Sequence, residues 1–78
     1  MDIAIARFFR MLRRFDDPER QEELARRFVQ VVRRVEGREA HHTLRRVLYH
    51  MERSSIPALA SLEEELRREL EHVQQTWR

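Results

Sequence analysis

The sequence predicts an all-α protein, a small antiparallel bundle of four helices. Charged residues make up 38% of the chain, which holds only one glycine and two prolines. Apolar residues recur every three or four positions in four successive segments, which is the helical period. A chain of 78 residues has room for one thin core, so we expect a single domain over residues 1–78.

The first helix is predicted over residues 3–15. Its apolar side chains project to one half of the helix and its arginines to the other. A wide aromatic face opposite arginines is also typical of helices that lie on a membrane surface. We do not expect membrane binding, because so short a chain needs these phenylalanines for its core. The inward set comprises Ile5, Phe8, Phe9, Met11, Leu12 and Phe15.

The second helix is predicted over residues 18–36. Asp17 has the side chain of an N-cap, and Pro18 suits the first helical position because it has no N–H to leave unbonded. We expect Gly37 to end the helix as a left-handed C′ residue. The alternative is that Gly37 only kinks one long helix, which would make the protein a dimer. The predicted inward face comprises Leu24, Phe28, Val31, Val32 and Val35.

The third and fourth helices are predicted over residues 38–53 and 57–77. The fourth is expected to begin at a serine cap, and its apolar stripe has coiled-coil spacing. The candidate cap residues are Ser54, Ser55 and Ser61. The third helix is expected to bury Ala40, Leu44, Val47, Leu48 and Met51. The stripe of the fourth comprises Leu59, Leu62, Leu66, Leu70, Val73 and Trp77, the last expected to close the end of the core or to contact a second copy.

The charge distribution and the absence of cysteine restrict which partners and ligands we expect. All basic residues are arginine; residues 1–53 carry 13 of them against 9 acidic residues, whereas residues 54–78 carry 3 against 5. This asymmetry favours antiparallel packing of the last helix on the earlier ones, or a polyanion bound to the first part. The absence of cysteine excludes disulfides and thiolate metal sites, and it is compatible with the cytoplasm, where we expect the protein.

Two Glu-x-x-His pairs have the spacing of ligands in dimetal helical bundles. They are Glu39 with His42 and Glu69 with His72. Dimetal ligands must all point into the bundle, whereas neither histidine shares the apolar face of its helix. We therefore expect no metal and no cofactor.

His41 and His50 flank the apolar face of the third helix, where we expect half-buried imidazoles, with a haem or metal ligand role left open. The serines cluster at predicted caps, and there is no cysteine nucleophile and no glycine-rich loop to hold phosphate. We expect no catalytic residues, and the protein is not predicted to be an enzyme.

The polar face of the third helix combines an aromatic ring with arginines, which suits nucleic acid because arginine neutralises phosphate and tyrosine stacks on bases. It comprises His42, Arg45, Arg46, Tyr49 and Arg53. The alternatives are a protein interface or a solvated face in which Glu52 pairs with Arg45.

The leading functional hypothesis is association through apolar faces, with a second copy of the chain or with another helical protein. A designed bundle with no natural function fits the same observations. The second hypothesis is a small nucleic-acid-binding regulator that uses the arginine and tyrosine face. The candidate core or oligomer contacts are Phe8, Phe9, Leu12, Phe28, Leu44, Met51, Leu66, Val73 and Trp77.

Overall fold

A computed structural model describes the backbone of residues 2–76 and the side chains of residues 2–73. The described chain contains helices and short connections but no strand, so the all-α prediction is confirmed. No helix in this range is long and apolar enough to cross a membrane. The elements are α1 (Asp2–Leu12), α2 (Pro18–Glu36), a 3₁₀ turn (Gly37–Glu39), α3 (Ala40–Ser54), a second 3₁₀ turn (Pro57–Leu59) and α4 (Ala60–Thr76).

Helix α3 is the element against which the other helices pack. Contacts join it to α1, α2 and α4. Asp2 pairs with Arg46, and Arg13 donates to the carbonyl of Ser54, so α1 runs parallel to α3. The core between these helices comprises Ile5, Phe9, Leu12, Ala25, Val29, Val32, Leu44, Val47, Met51, Ile56, Leu59, Leu62, Leu66 and Leu70. Among the other candidate contacts, Phe8, Phe28 and Val73 are half-buried, and Trp77 lies outside the described residues.

Helix α1 ends at Leu12, three residues before the predicted end at Phe15. Beyond Leu12 the chain continues in a turn in which the Phe15 N–H donates to the Leu12 carbonyl at 3.1 Å. The Gln21 side-chain amide of α2 donates to the carbonyls of Leu12 at 3.0 Å and of Phe15 at 3.2 Å. Arg13 Nε, in the same turn, donates to the Ser54 carbonyl at the end of α3 at 3.1 Å. Periodicity alone does not reveal these contacts between segments.

The predicted start of α2 is confirmed. Asp17 is the N-cap, with its carboxylate accepting a hydrogen bond from the Glu19 N–H at 3.0 Å, and Pro18 is the first helical residue. Both features satisfy or avoid the unbonded N–H groups of a helix start. Chemistry specific to a helix start therefore gave the most reliable boundary in the chain.

Gly37 forms a turn. Its N–H donates to the carbonyl of Arg33, and its φ of 57° with ψ of −122° is open to glycine but lies outside the left-handed helical region predicted for it. The kinked-helix alternative is wrong for this structure, because α2 and α3 pack against each other. The 3₁₀ turn delays the start of α3 to Ala40, two residues after the predicted position.

The serines do not cap α4, and that prediction is wrong. Ser54 is the last residue of α3, and its hydroxyl donates to the Met51 carbonyl at 2.7 Å. Ser55 adopts the left-handed conformation that ends α3, with φ 53° and ψ 46°. Ser61 lies inside α4, which follows the 3₁₀ turn that begins at Pro57. Serine serves both ends of a helix, so its presence did not identify which end it marks.

The inward face of α2 is rotated from the predicted one. Val31 is 53% exposed and Val35 is 71% exposed, so their assignment to the core is wrong. The prediction is confirmed for Val32, which is buried together with Ala25 and Val29. The prediction gave weight to the larger side chains and missed Ala25.

Ion pairs join α4 to α2. The two terminal guanidinium nitrogens of Arg26, Nη1 and Nη2, donate to the carboxylate of Glu65, the shorter contact being 2.7 Å. The same two atoms of Arg33 donate to the carboxylate of Glu69 at 2.6 Å. The pairs advance in the same direction along the two helices, so α4 runs parallel to α2. The acidic last helix does pack on the basic first part of the chain, and the expected antiparallel direction applies to its packing on α3, where Arg67 pairs with Glu52.

We expect Glu65→Gln to reduce the acid sensitivity of the fold. Hydrogen bonding to Arg26 lowers the pKa of Glu65 from its ordinary value of 4.5. A carboxylate with a lowered pKa stabilises the folded state above that ordinary value, and this contribution is lost as pH falls through the lowered pKa. The free energy of unfolding of the variant, from urea titrations, should therefore lie below the original at neutral pH and converge with it in strong acid.

The control is Glu71→Gln, which removes a carboxylate of α4 that makes no ion pair among the described residues. It should shift stability little at any pH. If Glu65→Gln and Glu71→Gln give the same pH profile, the Arg26 pair does not contribute to stability.

Candidate functional site

The polar face of α3 forms around Tyr49, whose side chain is 54% exposed. Arg53 donates to the Tyr49 hydroxyl at 3.0 Å, and its guanidinium carbon lies 5.3 Å from the centre of the ring. The imidazole of His50 meets the ring edge-on at 5.4 Å. The tyrosine ring therefore contacts a cation, the guanidinium of Arg53, and a second aromatic ring, the imidazole of His50.

Arg45 and Arg46 border a shallow depression next to Tyr49. Arg46 pairs with Asp2 across this depression, in an exposed contact that contributes little stability and leaves the guanidinium available to other anions. Arg45 makes no ion pair within the described residues. The structure therefore brings these two arginines to the tyrosine, as the spacing predicts.

His42 lies at the start of the same face but has a local partner. Its Nε2 atom is 3.5 Å from the carboxylate of Glu39, and both side chains are exposed. The solvated alternative placed Glu52 against Arg45. That pairing is wrong, because Glu52 accepts a hydrogen bond from Arg67 of α4 at 3.1 Å.

The histidines and glutamates do not converge. Glu39 and His42 meet at the surface, whereas Glu69 is bound to Arg33. The ring of His41 lies 4.0 Å from that of His42, at the start of α3. Within residues 2–73, no group of three or more histidine, aspartate or glutamate side chains is placed to hold a metal ion.

A second surface, which sequence reasoning missed, lies where α1 and α2 run side by side. Phe8 and Phe28 stack there with ring centres 4.2 Å apart and planes inclined by 9°. Leu24 is half-buried beside them, and Met11, Val31 and Val35 are exposed. We call this surface the α1–α2 face and define it by Phe8, Met11, Leu24, Phe28, Val31 and Val35.

The α2 part of this face is a stripe at spacings of four, three and four residues, from Leu24 to Val35. The leucines of α4 also follow a helical spacing, yet Leu62, Leu66 and Leu70 are buried. The fold therefore covers the stripe of α4, whereas it covers the stripe of α2 only in part, because Leu24 and Phe28 are half-buried against the core. A patch of exposed apolar side chains with regular helical spacing is typical of a protein interaction surface.

Arginines border the α1–α2 face. With 100° of rotation per residue, Arg7 and Arg14 lie next to Met11 on the outer side of α1. On the outer side of α2, Arg27 and Arg34 lie next to Val31, and Arg20 lies one turn before Leu24. Arg27 pairs with Glu23 at 3.1 Å, whereas the other four arginines make no ion pair among the described residues. The opposite side of α2 differs, because both Arg26 and Arg33 are bound to glutamates there.

The signal for this surface was present in the sequence as an unusually wide apolar face. Helix α2 carries two adjacent stripes, one beginning at Leu24 and one at Ala25. A single helix in a small bundle has room to bury only one of them against its neighbours. The sequence pattern shows both stripes but does not indicate which one α3 covers.

Comparisons of this chain with known protein families, with characterised proteins and with solved structures find no match. No function transfers to it from a relative. The chemistry of two surfaces, the polar face of α3 and the α1–α2 face, therefore supports the functional proposals below.

Proposed function

We propose that this protein is a non-catalytic association module that binds an amphipathic helix of another chain on the α1–α2 face. In this proposal the helices α1–α4 act together as one antiparallel four-helix bundle that presents the face. The observation that carries the proposal is the partly covered stripe of Leu24, Phe28, Val31 and Val35, whose two valines are 53% and 71% exposed while the other two residues are half-buried against the core.

The spacing of the stripe supports a helix as the bound element. Residues four, three and four apart line one side of α2, and a second helix packs against such a line with its own residues at the same spacing. The stacked rings of Phe8 and Phe28 form an apolar base for the contact. Covering Val31 and Val35 would remove apolar surface from water, which contributes about 1 kcal/mol or more for each side chain.

The test uses a synthetic helical peptide of about 18 residues, roughly five helical turns. It has leucine at spacings of four, three and four and glutamine elsewhere. Peptide titrations followed by amide chemical shifts should locate the contact on α1 and α2. Val31→Asp with Val35→Asp should weaken binding at least about 10-fold, because carboxylates would be buried against leucine.

The matched control is Ile3→Asp. Ile3 is 71% exposed, as Val35 is, but it lies on the side of α1 turned away from Phe8. This variant should bind the peptide as the original protein does. The proposal fails if neither the peptide nor a second copy of the chain contacts the α1–α2 face, or if Ile3→Asp reduces binding as much as the double variant.

A second candidate function is binding of single-stranded nucleic acid by the polar face of α3. The exposed Tyr49, held next to Arg53, offers a ring on which a base can stack, and Arg45 has a guanidinium free for phosphate. Arg46→Glu with Arg53→Glu should abolish binding of a fluorescent oligonucleotide, and added salt should weaken it steeply in the original protein. Binding that survives both treatments would refute this candidate.

A further inference from the structure

We infer that the helix accepted by the α1–α2 face is acidic, with glutamate or aspartate on both sides of its apolar stripe. This inference rests on the proposed function and adds the chemistry of the partner to it. It comes from the arginines that border the face and not from the apolar residues, which would accept any amphipathic helix.

The border carries an uncompensated positive charge. Arg7 and Arg14 lie along the α1 side, and Arg20 and Arg34 along the α2 side, none with an ion pair among the described residues. The pattern is therefore a row of cations, an apolar stripe and a second row of cations. A bound helix with acidic flanks would place carboxylates next to both rows.

Local glutamates neutralise only part of these rows. On α2, Glu23 pairs with Arg27, between Arg20 and Arg34, and Glu22 pairs with Arg26 on the side that faces α4. Arg20 and Arg34 remain without an ion pair among the described residues.

The same charges disfavour a second copy of this chain as the occupant. Two copies docked face to face would bring the arginine rows of both molecules together around one apolar contact. Like charges brought together at an interface cost several kcal/mol. Over residues 60–73, the acidic helix α4 uses its leucine stripe in the core of its own molecule, because Leu62, Leu66 and Leu70 are buried.

The experiment compares three synthetic peptides with identical leucine positions. Their flanking positions are all glutamate, all glutamine or all lysine. In fluorescence anisotropy at low salt, the glutamate peptide should bind at least about 10-fold more tightly than the glutamine peptide, equivalent to about 1.4 kcal/mol. The lysine peptide should bind most weakly, and added salt should reduce the differences, because screening weakens exposed charge pairs.

Charge reversal in the protein provides the second arm. Arg7→Glu with Arg34→Glu should abolish the preference, because two cations and two carboxylates then border the face, so that the glutamate and lysine peptides bind with similar affinity. The control, Arg45→Glu with Arg53→Glu, changes the net charge equally but affects arginines of the polar face of α3. It should retain the preference for the glutamate peptide.

The outcomes separate this inference from the proposed function. If the glutamate and glutamine peptides bind equally at the face, the acidic partner is refuted and the association function stands. If none of the three peptides binds, the inference is refuted, and the proposed binding of an amphipathic helix loses its support as well. A salt-resistant dimer in light scattering that Val31→Asp dissociates, or binding to anionic phosphatidylglycerol vesicles in place of peptides, would assign the face to another occupant and overturn the inference.

Discussion

Leu66→Asp is expected to unfold the protein, whereas Val35→Asp is expected to leave it folded. Leu66 is 1% exposed at the centre of the α4 stripe, and Val35 is 71% exposed on α2. Removing a buried leucine side chain costs about 2–5 kcal/mol, and a carboxylate buried without a partner adds further cost. A chain of this size has a total stability of about 4–12 kcal/mol, so the first substitution removes most or all of it.

Far-ultraviolet circular dichroism and urea titration measure this contrast directly. The two substitutions introduce the same side chain at helical apolar positions, so helix propensity and net charge change in similar ways. Only burial differs greatly between the sites. If Leu66→Asp retains a cooperative unfolding transition, α4 does not contribute to the core as described. If Val35→Asp unfolds the protein, Val35 is a core residue, as the sequence pattern predicts.

Gly37→Ala is expected to lower the free energy of unfolding by about 1–3 kcal/mol, which is the cost of holding a residue with a side chain in backbone conformations open mainly to glycine. The φ of 57° and ψ of −122° at this turn are of that kind. No atom lies within 4 Å of the position that a Cβ would occupy, so the cost comes from the backbone alone and not from a clash with neighbours.

Ser55→Gly is the matched comparison at the other positive-φ position. Ser55 has φ 53° and ψ 46°, the left-handed conformation for which a non-glycine residue pays about 1–2 kcal/mol. Glycine relieves that strain but adds flexibility to the unfolded chain, so we expect a small gain of up to about 1 kcal/mol. Thermal unfolding should thus move in opposite directions for the two variants. If Gly37→Ala leaves Tm unchanged, the turn does not have the described geometry.

The helix boundaries show what the sequence can and cannot predict. Asp17 and Pro18 identified the start of α2, because each has chemistry that only a helix start uses. The end of α1 was predicted three residues too late, since the Gln21 side chain of α2 binds the carbonyls of Leu12 and Phe15 only once the two helices have packed. A pattern of neighbouring residues predicts hydrogen bonds within one segment, whereas predicting contacts between distant segments requires the tertiary structure.

For the same reason, the polar face of α3 could be predicted from the sequence and the α1–α2 face could not. The α3 residues Arg45, Arg46 and Tyr49 share one helix side, so their spacing alone brings them together. The α1–α2 face required knowing which stripe of α2 packs against α3. Because Val31 and Val35 were assigned to the core, the partly covered stripe was not recognised as a surface.

The two sides of α2 differ in their ion pairs, and this difference affects the rate at which a partner associates. The ion pairs of Arg26 and Arg33 with α4 lie on one side. On the other side, Arg20 and Arg34 form no ion pair among the described residues that a partner would have to break. Association there needs no prior opening of the fold. Its rate should be set by diffusion and electrostatic steering, rise with falling ionic strength, and show a single phase at every partner concentration.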